Sequence, residues 1–252
     1  MAKARIVVTL VAAAAASFSV QATAAGGGSQ FSEPANNDVG NEASLQRGAR
    51  NFMNYCAGCH SAKYVRYNTL ADGLELSEEQ LIENLMFNAE KTHETVQASM
   101  PADQSARWFG KTPPDLSLIA RSRGTDYLYN FLRTFYVDDS RPPGTNNMVL
   151  AGASMPHVLW KLQGLQRPVY EAVTNEKGQT VQQFVEFEQV TEGTLSPEEY
   201  DQFVRDTVNF LDYISEPVQL ERRVLGVWVL LFLVVFFLFA YLLKKEIWKD
   251  VH

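Results

Sequence analysis

The sequence predicts a mainly α-helical chain that ends in one transmembrane helix. Three observations lead there. Apolar residues recur at helical spacing through Leu45, Ala49, Phe52, Tyr55 and Cys56, and again through Tyr200, Phe203, Val204, Val208, Leu211 and Ile214. Two stretches carry helix-opening chemistry: Ser77-Glu78-Glu79-Gln80 reads as a capping box, and Ser196-Pro197-Glu198-Glu199 as a capped first turn with proline at its first position. Finally, Val224 to Leu243 is a run of 20 residues without a charge. As a helix that run spans roughly 30 Å, the thickness of a bilayer's hydrocarbon core.

Composition narrows the function. The 252 residues carry a net charge of −7 and contain two cysteines. An acidic chain is a poor nucleic-acid binder. Two cysteines exclude a disulfide-rich scaffold and any four-cysteine zinc or iron–sulfur site.

Taken in order, residues 1–24 read as a secretory signal. Lys3 and Arg5 open it, Ile6 to Ala16 is apolar, and Ala22-Thr23-Ala24 is a small-x-small cleavage pattern. Cleavage is expected after Ala24, with Ala25 the near alternative, and the glycine-rich 26–29 would form a loose new N-terminus. Export of the body fixes the direction of the anchor, 224–243, and leaves 244–252 cytoplasmic. Arg222 and Arg223 flank the anchor on one side and Lys244, Lys245 and Lys249 on the other, with Trp228, Tyr241 and Trp248 near its ends. The body between, 25–223, holds 17 basic and 27 acidic residues, a net charge of −10. Such a surface steers basic partners.

Both cysteines fall in Cys56-Ala57-Gly58-Cys59-His60, the attachment signature of a c-type haem. Two thiols three residues apart can each add across one vinyl group, and the adjacent histidine then supplies a proximal imidazole. A thiol–disulfide redox pair also uses Cys-x-x-Cys, but in a βαβ context that is missing here. The surroundings read as a helix opened by Ser44. A zinc site would need two further ligands.

An electron-transferring haem needs a second axial ligand. Met53 sits too close to the motif, Met86 reads as core, His93 as solvated, and His252 lies beyond the anchor. Met100, Met148, Met155 and His157 remain. Ala-Ser-Met-Pro occurs twice, at 98–101 and 153–156, and spacing does not choose between Met100 and Met155. Order along the chain favours Met155. Single-haem cytochromes of the common type run from haem motif to proline loop, helix, methionine and closing helix. Here Pro113-Pro114 is the proline loop, with Pro114 a candidate to accept the proximal imidazole's N–H through its carbonyl. The segment 126–136 reads as the helix, and 196–214 as the closing one.

With these blocks in place, the chain resembles the cytochrome c1 family, the haem-bearing subunits of quinol–cytochrome c reductase (cytochrome bc1) complexes. The resemblance runs through nearly all of 44–245. It is carried by SLQRGARNFMNYCAGCHSAKYVRYNTL, TPPDLSLIARSRGTDYLYNFL, ASMP and DTVNFLDYISEP. It implies a class I-type cytochrome c fold with insertions and one covalent haem c. The thioethers would come from Cys56 and Cys59, the axial ligands from His60 and Met155, and a propionate partner from Arg121; Arg123 and Tyr127 are lesser candidates. The implied partners are cytochrome b, the Rieske iron–sulfur protein and an acceptor cytochrome c, which acidic residues such as Glu186, Glu188, Glu198 and Glu199 would steer. The implied location is a bacterial inner membrane with the haem domain in the periplasm.

The chain also departs from the family. Residues 167–190 read as an added hairpin turning at Asn175-Glu176-Lys177-Gly178, His157 after Met155-Pro156 is unexpected, and the further disulfide of some bacterial relatives is missing. Rival readings are a c-type subunit of another membrane complex, such as a terminal oxidase, and a haem enzyme or gas sensor with an open sixth position.

Overall fold

The structure, a computed structural model, describes residues 31–174 and 178–250. The expected signal, its cleavage point and the glycine-rich stretch lie outside the described residues, as do Asn175, Glu176 and Lys177 of the expected turn. Helices supply most of the regular structure, and the last is long and apolar.

The core is organised by two helices far apart in sequence. Helix α1, Glu42–Tyr55, buries Leu45, Ala49, Phe52 and Met53. Its cap is Asn41, whose side chain accepts from the Ser44 amide at 3.1 Å. Ser44 is therefore not the cap that the local pattern suggests. Its hydroxyl donates at 2.6 Å to Asp206, in the closing helix. That helix, Pro197–Ser215, starts at the expected Ser196 cap with proline at its first position, and Glu199 completes a reciprocal capping box. Its stripe of Val204, Val208, Leu211 and Ile214 is buried. The two helices cross at Gly48, where an added Cβ would lie 2.1 Å from the Asp206 carbonyl oxygen. The crossing is therefore close enough for backbone to meet backbone, with no room for a methyl group between them. Phe52 and Phe210 pack beside it with ring centroids 5.6 Å apart, and Arg47 pairs with Asp206 at 2.6 and 2.9 Å.

After the cysteine motif the chain forms β1, Ala62–Arg66, then helices α2, Tyr67–Gly73, and α3, Glu78–Asn84. The Ser77–Gln80 capping box opens α3, which ends before Met86. Strand β2, Thr95–Val96, pairs antiparallel with β1. Helices α4, Ala102–Phe109, α5, Ile119–Arg123, and α6, Thr125–Arg133, follow.

The helix expected over 126–136 stops at Arg133. Thr134, β-branched, turns its hydroxyl back to the Asn130 carbonyl at 2.8 Å. Phe135–Val137 then forms β3, paired antiparallel with β4, Thr145–Asn147. A short helix α7, Trp160–Gln163, leads into the hairpin of β5, Gly164–Thr174, and β6, Thr180–Glu192. The hairpin is longer at its base than 167–190. Gly164 at φ +84° opens it where a Cβ would strike the Thr191 carbonyl at 2.1 Å. Phe31 packs on Phe184 and Phe187 and ties the start of the described chain to the hairpin.

The closing helix, α8, ends at Ser215, ahead of Pro217. Helix α9, Gln219–Ile247, contains the whole uncharged run. Among the described residues it is the one helix long and apolar enough to cross a membrane, and none of its side chains is buried in the chain.

Candidate haem site

Helix α1 delivers the motif. Cys56 is its C-cap, donating its amide to the Phe52 carbonyl at 2.8 Å. The Cys59 and His60 amides both return to the Cys56 carbonyl, at 3.0 and 2.8 Å. One tight turn therefore presents both thiols and the imidazole side by side.

The outgoing chain is held from two directions. On one, the Ala98 amide donates to Ser61 Oγ at 2.9 Å and the Met100 amide to the Gly58 carbonyl at 3.1 Å. On the other, the Pro-Pro-Asp-Leu-Ser block is laced to β1. The Leu116 amide donates to the Ser61 carbonyl at 2.8 Å, the Lys63 amide to Asp115 Oδ2 at 3.0 Å, and the Tyr64 amide to Ser117 Oγ at 3.1 Å. Burial opposes the charge on Asp115, but the amides of Lys63 and Ser117 and the Ser117 hydroxyl outweigh it and hold the carboxyl below its ordinary range.

This lacing places the Pro114 carbonyl 2.8 Å from His60 Nδ1. A carbonyl only accepts, so Nδ1 carries the proton and Nε2 keeps its lone pair. Burial holds the His60 imidazole below its usual pKa, against the pull of the Pro114 carbonyl and Asp115.

Cys56, Cys59, His60, Pro114 and Met155 line one cleft, together with Tyr55, Phe109 and Val158. Its cavity volume is about 100 Å³, and it opens to solvent. Of the two Ala-Ser-Met-Pro methionines, Met155 lines this cleft and Met100 does not. Met148 accepts from the Tyr170 hydroxyl at 3.8 Å and also lies outside the lining. Arg121 is not brought to the cleft: its guanidinium pairs with Glu216 at 2.7 Å, and Glu216 also takes Arg222 at 2.5 Å. Arg123 stands over the ring of Tyr127, 5.5 Å from its centroid.

The thiols argue against a disulfide exchanger. Burial pushes Cys56 up to about 12, with Cys59 adding to the rise, and burial raises Cys59 as well. A redox Cys-x-x-Cys needs a depressed thiolate pKa, commonly at a helix N-terminus, whereas this motif sits at the C-terminal, electronegative end of α1. Among the described residues no group of three His, Cys, Asp or Glu side chains converges to hold a metal ion. An apolar cleft, two unpaired cysteines, an imidazole with its tautomer set and a thioether in the same lining fit a covalently attached haem.

Several site residues escape sequence reasoning. The loop that carries Met155 is shaped by Asn146 and Asn147. Asn147 Oδ1 accepts the Val149 and Leu150 amides at 2.9 and 3.0 Å, and Asn146 Oδ1 accepts the Gly152 amide at 2.8 Å. The paired asparagines were the available signal, since Asn side chains commonly organise turns. His157 is buried and stacks on Phe135, and burial pushes its pKa down to about 4.

Comparison with known proteins gives a consistent result. The model of the Cytochrome C1 family matches residues 37–251. Cytochrome c1 of Allochromatium vinosum is 50% identical over 90% of this chain and 93% of its own length. A protein named ammonia monooxygenase gamma subunit, from Nitrosomonas europaea, is 44% identical over 85% of this chain and 86% of its own. Cytochrome b/c1 of Bradyrhizobium diazoefficiens is 27% identical over 82% of this chain and 33% of that longer protein. With the family model spanning the haem motif, the proline block, the second Met-Pro loop and the terminal helix, the chain belongs to the cytochrome c1 family.

Proposed function

We propose that this protein is a membrane-anchored c-type cytochrome that takes one electron from a Rieske iron–sulfur protein and passes it to a cytochrome c, within a quinol–cytochrome c reductase. The observation that carries the proposal is the convergence of His60, its tautomer set by Pro114, with Met155 and the two cysteines on one cleft. A class I-type cytochrome c fold with insertions is part of the same reading, supported by the α1–α8 crossing beside the motif.

Bound there, haem c would supply a one-electron iron couple. Cys56 and Cys59 would hold it by adding S–H across its vinyl groups. His60 would give Nε2 to the iron, and Met155 its thioether. Methionine ligation suits a carrier of high potential, and two protein ligands leave no position for substrate. Arg121 would serve a propionate by sharing its fork with, or releasing, Glu216. Residues 1–24 would export the domain to the periplasm of a bacterial inner membrane, 25–223 would form it, 224–243 would anchor it, and 244–252 would stay cytoplasmic. The name cytochrome b/c1 of the Bradyrhizobium relative supports cytochrome b as a neighbour.

The test is purification in mild detergent. Co-purification of a b-type cytochrome and an iron–sulfur protein is expected. A preparation that lacks both overturns the assignment to this complex. Rapid carbon monoxide binding by the reduced native protein overturns the two-ligand carrier and favours an open-site haem enzyme or sensor. The Nitrosomonas relative's name favours a second reading, a cytochrome serving a monooxygenase, and co-purification of monooxygenase subunits would select it.

A further inference from the structure

The loop from β4 to α7, residues 148–159, carries Met155, and it is fixed unequally on its two sides. Before the methionine, backbone is gripped: Asn147 and Asn146 hold the amides of Val149, Leu150 and Gly152, and Arg141 donates to the Gly152 carbonyl at 3.0 Å. Directly after it, Pro156 has no N–H to offer. The first side chain beyond Met155 that is locked to the core is His157. It is 5% exposed, and its ring lies 5.1 Å from that of Phe135 at an interplanar angle of 4°. Phe135 is itself buried in β3 and meets Phe131 edge-on at 5.1 Å. The His157 carbonyl receives the Trp160 amide at 3.3 Å, where α7 begins.

We propose that His157 is a positioning residue for the Met155 thioether, acting through its face-to-face stack on Phe135. The inference rests on Met155 being the axial ligand. A methionine side chain is flexible, with three rotatable bonds, so a sulfur held on iron needs a stiff backbone under it. The asparagine cradle stiffens one side, and the stacked ring is what remains for the other. Gln163 and the Gly164 backbone are hydrogen-bond neighbours of the imidazole, but its Nε2 makes no bond of good geometry, so the stack on Phe135 is the contact that sets the plane of the ring. An aromatic hydrocarbon of similar size should therefore replace it, and an aliphatic side chain should not.

The test compares three variants of the full-length, haem-loaded protein: His157→Phe, His157→Leu and Met155→Leu. His157→Leu keeps most of the volume, so it folds where an alanine variant would collapse. Three quantities are read: the thioether-to-iron charge-transfer band, carbon monoxide binding to the reduced form, and the midpoint potential. Met155→Leu should abolish the band. His157→Leu should weaken the band, admit carbon monoxide and lower the potential, while His157→Phe should match the parent in all three. A band unchanged in His157→Leu but lost in Met155→Leu overturns the positioning role and leaves the ligand standing. A band retained in Met155→Leu overturns the ligand itself. A band weakened equally by Leu and Phe overturns the stacking argument and points to the nitrogen.

Discussion

Gly48→Ala tests the helix crossing on which the haem motif is mounted. In an ordinary helix interior this change stabilises by about 1 kcal/mol, because glycine is the poorer helix former. Here the sign should reverse. The new Cβ would lie 2.1 Å from the Asp206 carbonyl oxygen and 2.6 Å from Phe210 Cβ. Restoring even the closest tolerated contact, 3.0 Å, requires the two helices to part by about 0.9 Å at that point. The carbonyl cannot retreat alone, since it belongs to the α8 backbone. Parting the helices also stretches the Ser44 and Arg47 bonds to Asp206 and opens the Phe52–Phe210 contact. Overpacking of this kind costs about 1–3 kcal/mol, and weakening the buried bonds adds about 1 kcal/mol more. Against the gain in helix propensity, the net loss is about 2 kcal/mol. For a domain of this size that lowers Tm by roughly 4–8 °C. Thermal unfolding of the haem-loaded protein in detergent, followed by far-ultraviolet circular dichroism, measures it directly. A Tm equal to or above the parent's refutes the close crossing, because propensity would then have won.

Other outcomes follow from single sites. Cys56→Ser combined with Cys59→Ser should abolish covalent haem, read by haem staining of a denaturing gel; stain at the chain's mobility contradicts the attachment. Asp201 receives Tyr129, Arg205 and Arg133, and although burial opposes its charge, these partners hold its carboxyl below the ordinary range. A depressed carboxyl contributes stability that is present above its unfolded pKa and lost as pH falls through the folded one. The parent should therefore lose Tm below about pH 4, and Asp201→Asn should flatten that acid slope; parallel pH profiles refute the assignment. Shortening the hairpin to a tight turn between Pro168 and Phe187 removes no cleft-lining residue and keeps Gln166, whose side chain donates to the carbonyls of Arg133 and Phe135 at 2.9 and 2.8 Å. The haem spectrum should stay unchanged, and a shifted spectrum would mean that the hairpin supports the site.

What was legible in the sequence was what local chemistry dictates. The Ser77 box, the Ser196 cap, the buried stripe of α8 and the uncharged run in α9 each follow from residues close together in the chain. The failures share a cause in long-range contacts. Ser44 looks like a cap until Asp206, far along the chain, claims its hydroxyl and leaves the role to Asn41. Phe135 and Tyr136 continue a helical pattern, yet β4 pairs with them and makes a strand. The pairing of Arg121 with Glu216, at the junction with the anchor, is likewise a contact that the sequence does not announce. At the site, chain order pointed to Met155, but order carries no information on how a loop is held. The asparagine cradle and the His157 stack become visible only in three dimensions.

The site's preparation has a consequence for its chemistry. Electron transfer is efficient when the groups around the iron scarcely move between oxidation states, so the protein must fix them in advance. His60 is oriented by the protein alone, through a carbonyl from a Pro-Pro step whose backbone torsions are narrowed by both rings. The same block is tied to β1 through Asp115, Leu116 and Ser117, so the carbonyl cannot drift without breaking three amide contacts. Helix α1 carries the cysteines, and its crossing with α8 leaves no slack for a methyl group. Each group proposed to hold the haem is thus referred to a different rigid element: His60 to the laced proline block, the two thiols to the helix pair, Met155 to the β3–β4 hairpin and its asparagines. Such an arrangement would suit the proposed relay, whose iron would change charge while the groups around it stay in place. It also explains why residues remote from the cleft, Gly48 and Asp206 among them, bear on the site: they hold the frame to which the ligands are fixed.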